Sequence, residues 1–305
     1  MGSVAIAVHG GAGTSRDTQD GCEAAARLGL VVLMDDGTAL EAATNSVTSM
    51  EDDGRFNAGR GSAFRLDGHT VEMDAAVMDS AGTLGAVACI QHVKNPVLVA
   101  RAVSQTPHWL LVGEGAERFA QQAGLAVAVP PSDEAKKSHD AMMRALLEDN
   151  DASELAPFVR AWNFRTPWDE VMQRYASGTV GAVARDSEGN FAVATSTGGS
   201  PPSLLGRVGD TPIVGCGFYA GASAAVAVTG IGEYIVRQLL AHRVYQWLEQ
   251  GVPVHAALER GIALFNKNVD VGIIAINDTG AAARSNREMP WTMLENDQDV
   301  AVKAP

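Results

Sequence analysis

Two stretches of the chain, residues 63–90 and 180–196, read as short strands folded back on themselves by glycine-bearing turns. This pattern limits the fold more than any other feature. Asp67-Gly68 is the turn expected within 63–73, and Asp186-Ser187-Glu188-Gly189-Asn190 joins strands over 180–185 and 191–196. Hairpins make antiparallel neighbours, whereas a parallel sheet needs a crossover helix between successive strands. Further strands are expected near residues 1–8, 75–78, 84–90, 222–228, 271–276 and 281–284. Helices are expected at about 20–35, 38–50, 95–104, 114–122, 232–249 and 253–264. Thr38 and Glu41 have the spacing of a capping box, and Asn95-Pro96 is a cap followed by proline at the first helical position. The long helix over 232–249 would bury Ile235, Leu239, Leu240, Val244 and Trp247 on one face. Blocks of both kinds in each half predict an α+β fold, its sheets mostly antiparallel and covered by helices, in one domain spanning 1–305. Residues 130–177 interrupt the pattern with Pro130-Pro131, Lys136-Lys137, an acidic run at 148–151 and Pro157. They read as a surface excursion or flexible linker, with a possible helix over 141–148.

Charge and cysteine usage exclude several classes. The 305 residues carry a formal charge of −13 with no Lys/Arg run, which argues against a nucleic-acid or anionic-membrane surface. No apolar stretch approaches the roughly 20 residues needed to cross a bilayer. Cys22, Cys89 and Cys216 are too few and too scattered for a disulfide framework or a CxxC zinc site. The N-terminal apolar run lacks a basic lead and reads as a strand, not a secretory signal; the expected location is cytoplasmic.

Familiar chemical motifs are missing or incomplete. His9-Gly10-Gly11-Ala12-Gly13 follows a strand, but Arg16 stands where the dinucleotide fingerprint needs its third glycine, so a tight structural turn is the better reading. The seven histidines show no HExxH, and GxSxG is absent. Cys216, between Gly215 and Gly217, has no base marked nearby and reads as a small buried residue. What remains is a series of Thr and Gly: Gly178-Thr179-Val180-Gly181, Thr195-Ser196-Thr197-Gly198-Gly199, Gly206-Arg207-Val208-Gly209-Asp210 and Thr229-Gly230-Ile231-Gly232-Glu233. Each alone is ordinary turn chemistry, but their order and spacing together are specific.

This series resembles the plant-type L-asparaginase/isoaspartyl peptidase family of N-terminal-nucleophile hydrolases, as do the N-terminal HGGAGT, Phe56-Asn57-Ala58-Gly59-Arg60-Gly61, Met73-Asp74-Ala75-Ala76-Val77-Met78 and Thr106-Pro107-His108. The resemblance implies a four-layer αββα sandwich. It implies self-cleavage between Gly178 and Thr179 into an α-subunit, 1–178, and a β-subunit, 179–305, assembled as (αβ)₂. Thr179 would be the nucleophile, its freed α-amine, with an ordinary pKa near ~7.7–8, serving as base. By the same resemblance Arg207 would hold the substrate α-carboxylate, Asp210 the α-ammonium, and Gly232 would line that pocket. Thr229 and Gly230 would form the oxyanion hole, Thr197 would orient Thr179, and Asn57 would support the site from the α-subunit. The plainer reading of Arg207 and Asp210 is a mutual surface salt bridge. A structural sodium ion would be held by backbone carbonyls near Thr48, Glu51, Asp53, Phe56, Ala58 and Arg60, and no organic cofactor is implied. Ile231 and Gly221 depart from the family's usual polar residues, on the leaving-group side of substrate preference.

The implied substrates are small: L-asparagine and β-aspartyl dipeptides. A glycosylasparaginase-like amidase and a polypeptide-cleaving threonine peptidase of the same fold are rivals within hydrolases. A binding protein that never matures is the rival from another class.

Overall fold

The structure is a computed structural model and describes residues 3–127, 130–148, 178–201 and 203–296. Eleven strands are found among these residues: β1 (Ala5–His9), β2 (Met73–Asp79), β3 (Leu84–Ile90), β4 (Leu110–Val112), β5 (Val180–Arg185), β6 (Phe191–Thr197), β7 (Phe218–Gly221), β8 (Ala224–Gly230), β9 (Val271–Asn277), β10 (Gly280–Ser285) and β11 (Trp291–Glu295). They form two sheets, ordered β11-β1-β5-β6-β2-β3-β4 and β10-β9-β8-β7. Every pairing is antiparallel except β3 with β4, so the hairpin argument holds.

The two sheets face one another through β1, β2, β5 and β6 on one side and β7, β8 and β9 on the other. Helices α1 (Gln19–Met34), α2 (Ala39–Asp53), α3 (Pro96–Val103) and α4 (Gly113–Gln122) cover the outer face of the larger sheet. Past α5 (Asp133–Glu148) and the short α6 (Gly232–Gln238), helices α7 (Leu240–Glu249) and α8 (Val254–Ile262) cover the smaller one. The architecture is the αββα sandwich that the resemblance implies. Three apolar layers hold it together. An apolar–polar alternation is absent from the central strands because both faces are covered: β5, β6 and β8 are buried along their whole lengths. Ala182, Ala184 and Ala194 face the helices, while Val183, Val193 and Phe191 meet Ala225, Ala227 and Ile274 of the other sheet.

Local signals account for several element boundaries. The Thr38/Glu41 capping box forms reciprocally, satisfying two orphan N–H groups at the start of α2. Pro96 occupies the first turn of α3, but the Asn95 side chain bonds Asp52; the Val97 N–H is taken instead by the buried Glu51 carboxylate at 3.0 Å. Three expectations are corrected. The turn at 65–68 forms, yet its flanks make no ladder, because the Leu66 N–H donates to Ser203 O. The helix expected over 232–249 breaks at Leu239, which adopts φ 47° and is 55% exposed. There the Ala241 and His242 N–H groups turn to the carbonyls of Cys216 and Gly215, so α7 starts on the 215–217 loop rather than continuing α6. The excursion expected at 130–177 contains the 16-residue α5, longer than the helix anticipated there, and its remainder, 149–177, lies outside the described residues. The short edge strands β4 and β11 and strand β7 have no counterpart among the expected elements.

Among the described residues no helix is long and apolar enough to cross a membrane. The three cysteines are buried and free.

Candidate active site

Strand β5 enters the larger sheet in its middle, flanked by β1 and β6, and its leading residues lie against the far end of β8 in the facing sheet. Thr179, just before β5, is therefore placed between the sheets, 4% exposed. Its N–H donates to Thr229 Oγ1 at 3.1 Å, and the Ala12 N–H donates to the same oxygen at 3.2 Å. Both lone pairs of the Thr229 hydroxyl are thus occupied, leaving its O–H to serve as a donor. The Thr179 hydroxyl pairs with Thr211 Oγ1 at 3.1 Å. Thr197 is buried nearby, but its Oγ1 accepts the Gly199 N–H at 3.1 Å, an orphan donor where the β6 ladder ends. Among the described residues no bond joins Thr197 to Thr179, and Thr211 makes the hydroxyl contact found there.

The N-terminal glycine turn belongs to this site. Gly11 has φ +108°, and a Cβ there would stand 2.6 Å from the Gly178 carbonyl carbon. A Cβ on Gly178 would likewise stand 2.5 Å from the Gly11 carbonyl carbon. The turn's amides are also engaged: Gly10 N–H on Pro290 O, Gly13 N–H on Glu288 O and Ala12 N–H on Thr229. A phosphate would find these donors taken, so the turn is a backbone cradle for Gly178. His9, at the end of β1, is fully buried, and burial pushes its pKa down to about 3, with the Thr179 backbone partly opposing the shift. It is a neutral imidazole at physiological pH.

A second group lies beyond β8. Arg207 places Nε and Nη2 on the two oxygens of Glu233, both at 2.9 Å. This side-on fork leaves the guanidinium's other edge, with Nη1, without an acceptor among the described residues. Burial works against the Arg207 charge, but Glu233 more than compensates and its pKa is raised. Asp210 is 3% exposed and its Oδ2 has no partner among the described residues. Burial lifts its pKa to about 7, against the pull of Arg207. The mutual surface salt bridge considered for these two is therefore not formed. Both converge on Gly232: a Cβ there would lie 2.9 Å from Asp210 Oδ1 and 3.0 Å from Arg207 Nη2. Asp210 adjoins Thr211, the partner of Thr179, and Gly232 follows Gly230 by two residues, so the two groups form one site.

Asn57 supports it from the first part of the chain: Nδ2 donates to Gly199 O at 2.6 Å and Oδ1 accepts the Ala63 N–H at 2.9 Å. Cys216 is buried and its thiol pushed up to about 11, chiefly by burial and then by Asp210, which removes it as a nucleophile.

Comparison with known proteins decides the lineage. Residues 2–303 match the family model described as asparaginase. The chain belongs to the asparaginase family. Its relatives there include the plant-type L-asparaginase of Pyrococcus furiosus, 38% identical over 96% of each chain. The isoaspartyl peptidase/L-asparaginase of Danio rerio is 38% identical over 95% of this chain and 92% of its own. The isoaspartyl peptidase of Salmonella typhimurium is 43% identical over 82% of this chain and 80% of its own.

Within this asparaginase framework, two site residues escaped the sequence reading. Thr211 could have been found as the hydroxyl next to Asp210 in the Asp-Thr-Pro turn. Glu233 could have been found as the acid opening α6, one turn from the clamp. Residues 48–53 are the last turns of α2, and a tight loop follows from Gly54: Phe56, Ala58 and Arg60 carbonyls accept the N–H groups of Ala58, Gly61 and Ser132, and each keeps a second lone pair. The Glu51 carbonyl lies 2.6 Å from where a Gly59 Cβ would stand, so the loop closes on α2. Among the described residues no three His, Cys, Asp or Glu stand together as metal ligands, and neutral carbonyl oxygens of this kind suit a hard cation.

Proposed function

We propose that this chain is a self-processing threonine amidohydrolase that cleaves the side-chain amide of L-asparagine and the isopeptide bond of β-aspartyl dipeptides. The observation that carries the reading is the threonine between the sheets. Thr179 is bonded through its own N–H to the hydroxyl of Thr229 and preceded by a glycine pressed against Gly11. The relatives named above as L-asparaginase and isoaspartyl peptidase support it.

In the uncleaved chain Thr179 Oγ1 attacks the Gly178 carbonyl carbon, forming an ester as the C–N bond breaks. Water then hydrolyses the ester and leaves Thr179 with a free α-amine. In the mature enzyme that amine, neutral in good part at pH ~8, takes the hydroxyl proton. The Thr179 oxygen attacks the β-carbonyl of the aspartyl unit, the leaving amine departs with a proton, and water releases aspartate. The Thr229 O–H, its oxygen fixed by two N–H donors, faces the developing oxyanion together with Gly230. One such donor is typically worth ~3–4 kcal/mol.

The clamp fits an α-amino acid. Arg207 offers an unoccupied guanidinium edge to the α-carboxylate, and the unpartnered Asp210 oxygen accepts the α-ammonium. Gly232 keeps room for both. The carbonyls of Thr48, Glu51, Asp53, Phe56, Ala58 and Arg60 would hold a sodium ion, whose role is to stiffen the loop that carries Asn57. The two products of cleavage stay joined, since β5 and β6 are zipped between β1 and β2. An (αβ)₂ assembly and a reducing, cytoplasmic location, consistent with three unbridged cysteines, complete the reading.

The test is aspartate release from L-asparagine and from a β-aspartyl dipeptide by wild type and Thr179→Ala. Loss of both activities in the variant is expected; retention of either would overturn the assignment.

A further inference from the structure

Arg65 is the largest fully buried side chain of the described residues and plays no part in the chemistry above. It comes from the turn after the Asn57 loop. Its Nε donates to Glu72 Oε2 at 3.0 Å, while Nη2 donates to the Glu72 carbonyl at 3.3 Å and to the Arg207 carbonyl at 3.1 Å. Glu72 reaches across as well: its Oε2 accepts the Gly206 N–H at 2.7 Å. The neighbouring Leu66 N–H holds Ser203 O at 3.0 Å. Three bonds therefore tie residues 65–72 to the backbone of 203–207, the segment that presents the Arg207 side chain. These bonds join the two sides of the Gly178–Thr179 bond. An unpaired buried arginine is very costly; Glu72 pairs Arg65 through Nε, while Arg65 Nη1 is buried with no partner among the described residues.

We propose that Arg65, held by Glu72, is a positioning residue for the Arg207 clamp and sets the affinity for substrates that carry an α-carboxylate. The inference rests on the clamp reading given under Proposed function. Glu233 fixes the Arg207 guanidinium from the side, and Arg65 fixes its main chain from behind. Without the second anchor the guanidinium is free to follow Glu233 away from the carboxylate. Self-cleavage is a different matter, because Gly11, Gly178, Thr179 and Thr229 have no bond to Arg65 or Glu72. The two residues thus separate substrate binding from maturation.

The experiment compares wild type, the double variant Arg65→Met/Glu72→Met, Arg65→Met alone and Arg207→Lys by steady-state hydrolysis of L-asparagine and by the fraction cleaved at Gly178–Thr179. The double variant removes both charges together, so no buried ion is stranded if the single variant fails to fold. Expected is a KM raised about 10- to 100-fold, with kcat within about threefold of wild type and cleavage complete. An unchanged KM would overturn the role of Arg65. Parallel loss of kcat and of cleavage would also overturn it, marking a merely structural residue. An Arg207→Lys variant with wild-type KM would instead overturn the clamp reading itself.

Discussion

Gly11 and Gly178 meet backbone to backbone, each occupying the space that the other's Cβ would need. The contact accounts for the glycines of a turn whose Gly10, Ala12 and Gly13 amides are already engaged within the protein.

Gly11→Ala is expected to block or strongly slow cleavage at Gly178–Thr179, seen as a persistent full-length band on a denaturing gel. The control is Gly82→Ala. Gly82 has a similar φ, +101°, but nothing within 4 Å of an added Cβ, so its backbone strain comes without a clash. It should mature normally. Equal defects in both variants would show that strain, not the Gly178 contact, matters.

Thr211→Val keeps the side chain's shape and removes the one hydroxyl bonded to Thr179 Oγ1 among the described residues. A hydrogen bond of this kind contributes about 1 kcal/mol, so kcat should fall roughly fivefold with little change in KM. Thr197→Val should cost less, because its bond serves the Gly199 N–H. The comparison is read from kcat at saturating asparagine.

The pH profile should carry the mark of Asp210. Its pKa in the free enzyme is about 7, and only the ionised form pairs with an ammonium. The kcat/KM value should therefore fall as pH drops through about 7, well above the ordinary aspartate range. Bound ammonium favours the ionised form, so kcat should show the α-amine of Thr179 but not this step. The charge of Glu233 adds to the upward shift of Asp210, so Glu233→Gln should move the kcat/KM limb toward acid pH.

Stability should move the opposite way from binding. A carboxyl with a raised folded-state pKa contributes its full stability only below its unfolded value of ~3.9, and that contribution is lost progressively as pH rises from there to about 7. Asp210→Asn is permanently neutral. It should raise Tm at pH 8 relative to wild type, raise it less at pH 5, and leave Tm nearly unchanged at pH ~3.5, while abolishing substrate affinity.

Much of this was legible in the residues because local chemistry dictates it. Asp186-to-Asn190 has to turn, Thr38 with Glu41 has to cap, and 180–185 with 191–196 read as the two arms of a hairpin. The ordered threonines carried the site. What escaped depends on contacts far apart in sequence. Leu239 breaks a good helical pattern only because Gly215 and Cys216 offer carbonyls to the next turn. The contact of Thr179 with Thr211, and the seat of Arg207 on Glu233 rather than Asp210, join residues 26 to 32 positions apart and leave no local signal. Edge strands β4 and β11 are too short to signal themselves.

The central claim is that Thr179 becomes a chain terminus, and intact-mass measurement of the purified protein tests it most directly. The expected result is two species, residues 1–178 and 179–305, the second beginning at Thr179, and a single 305-residue species for Thr179→Ala. A wild-type protein that remains one uncleaved chain and still releases aspartate from asparagine would contradict the account.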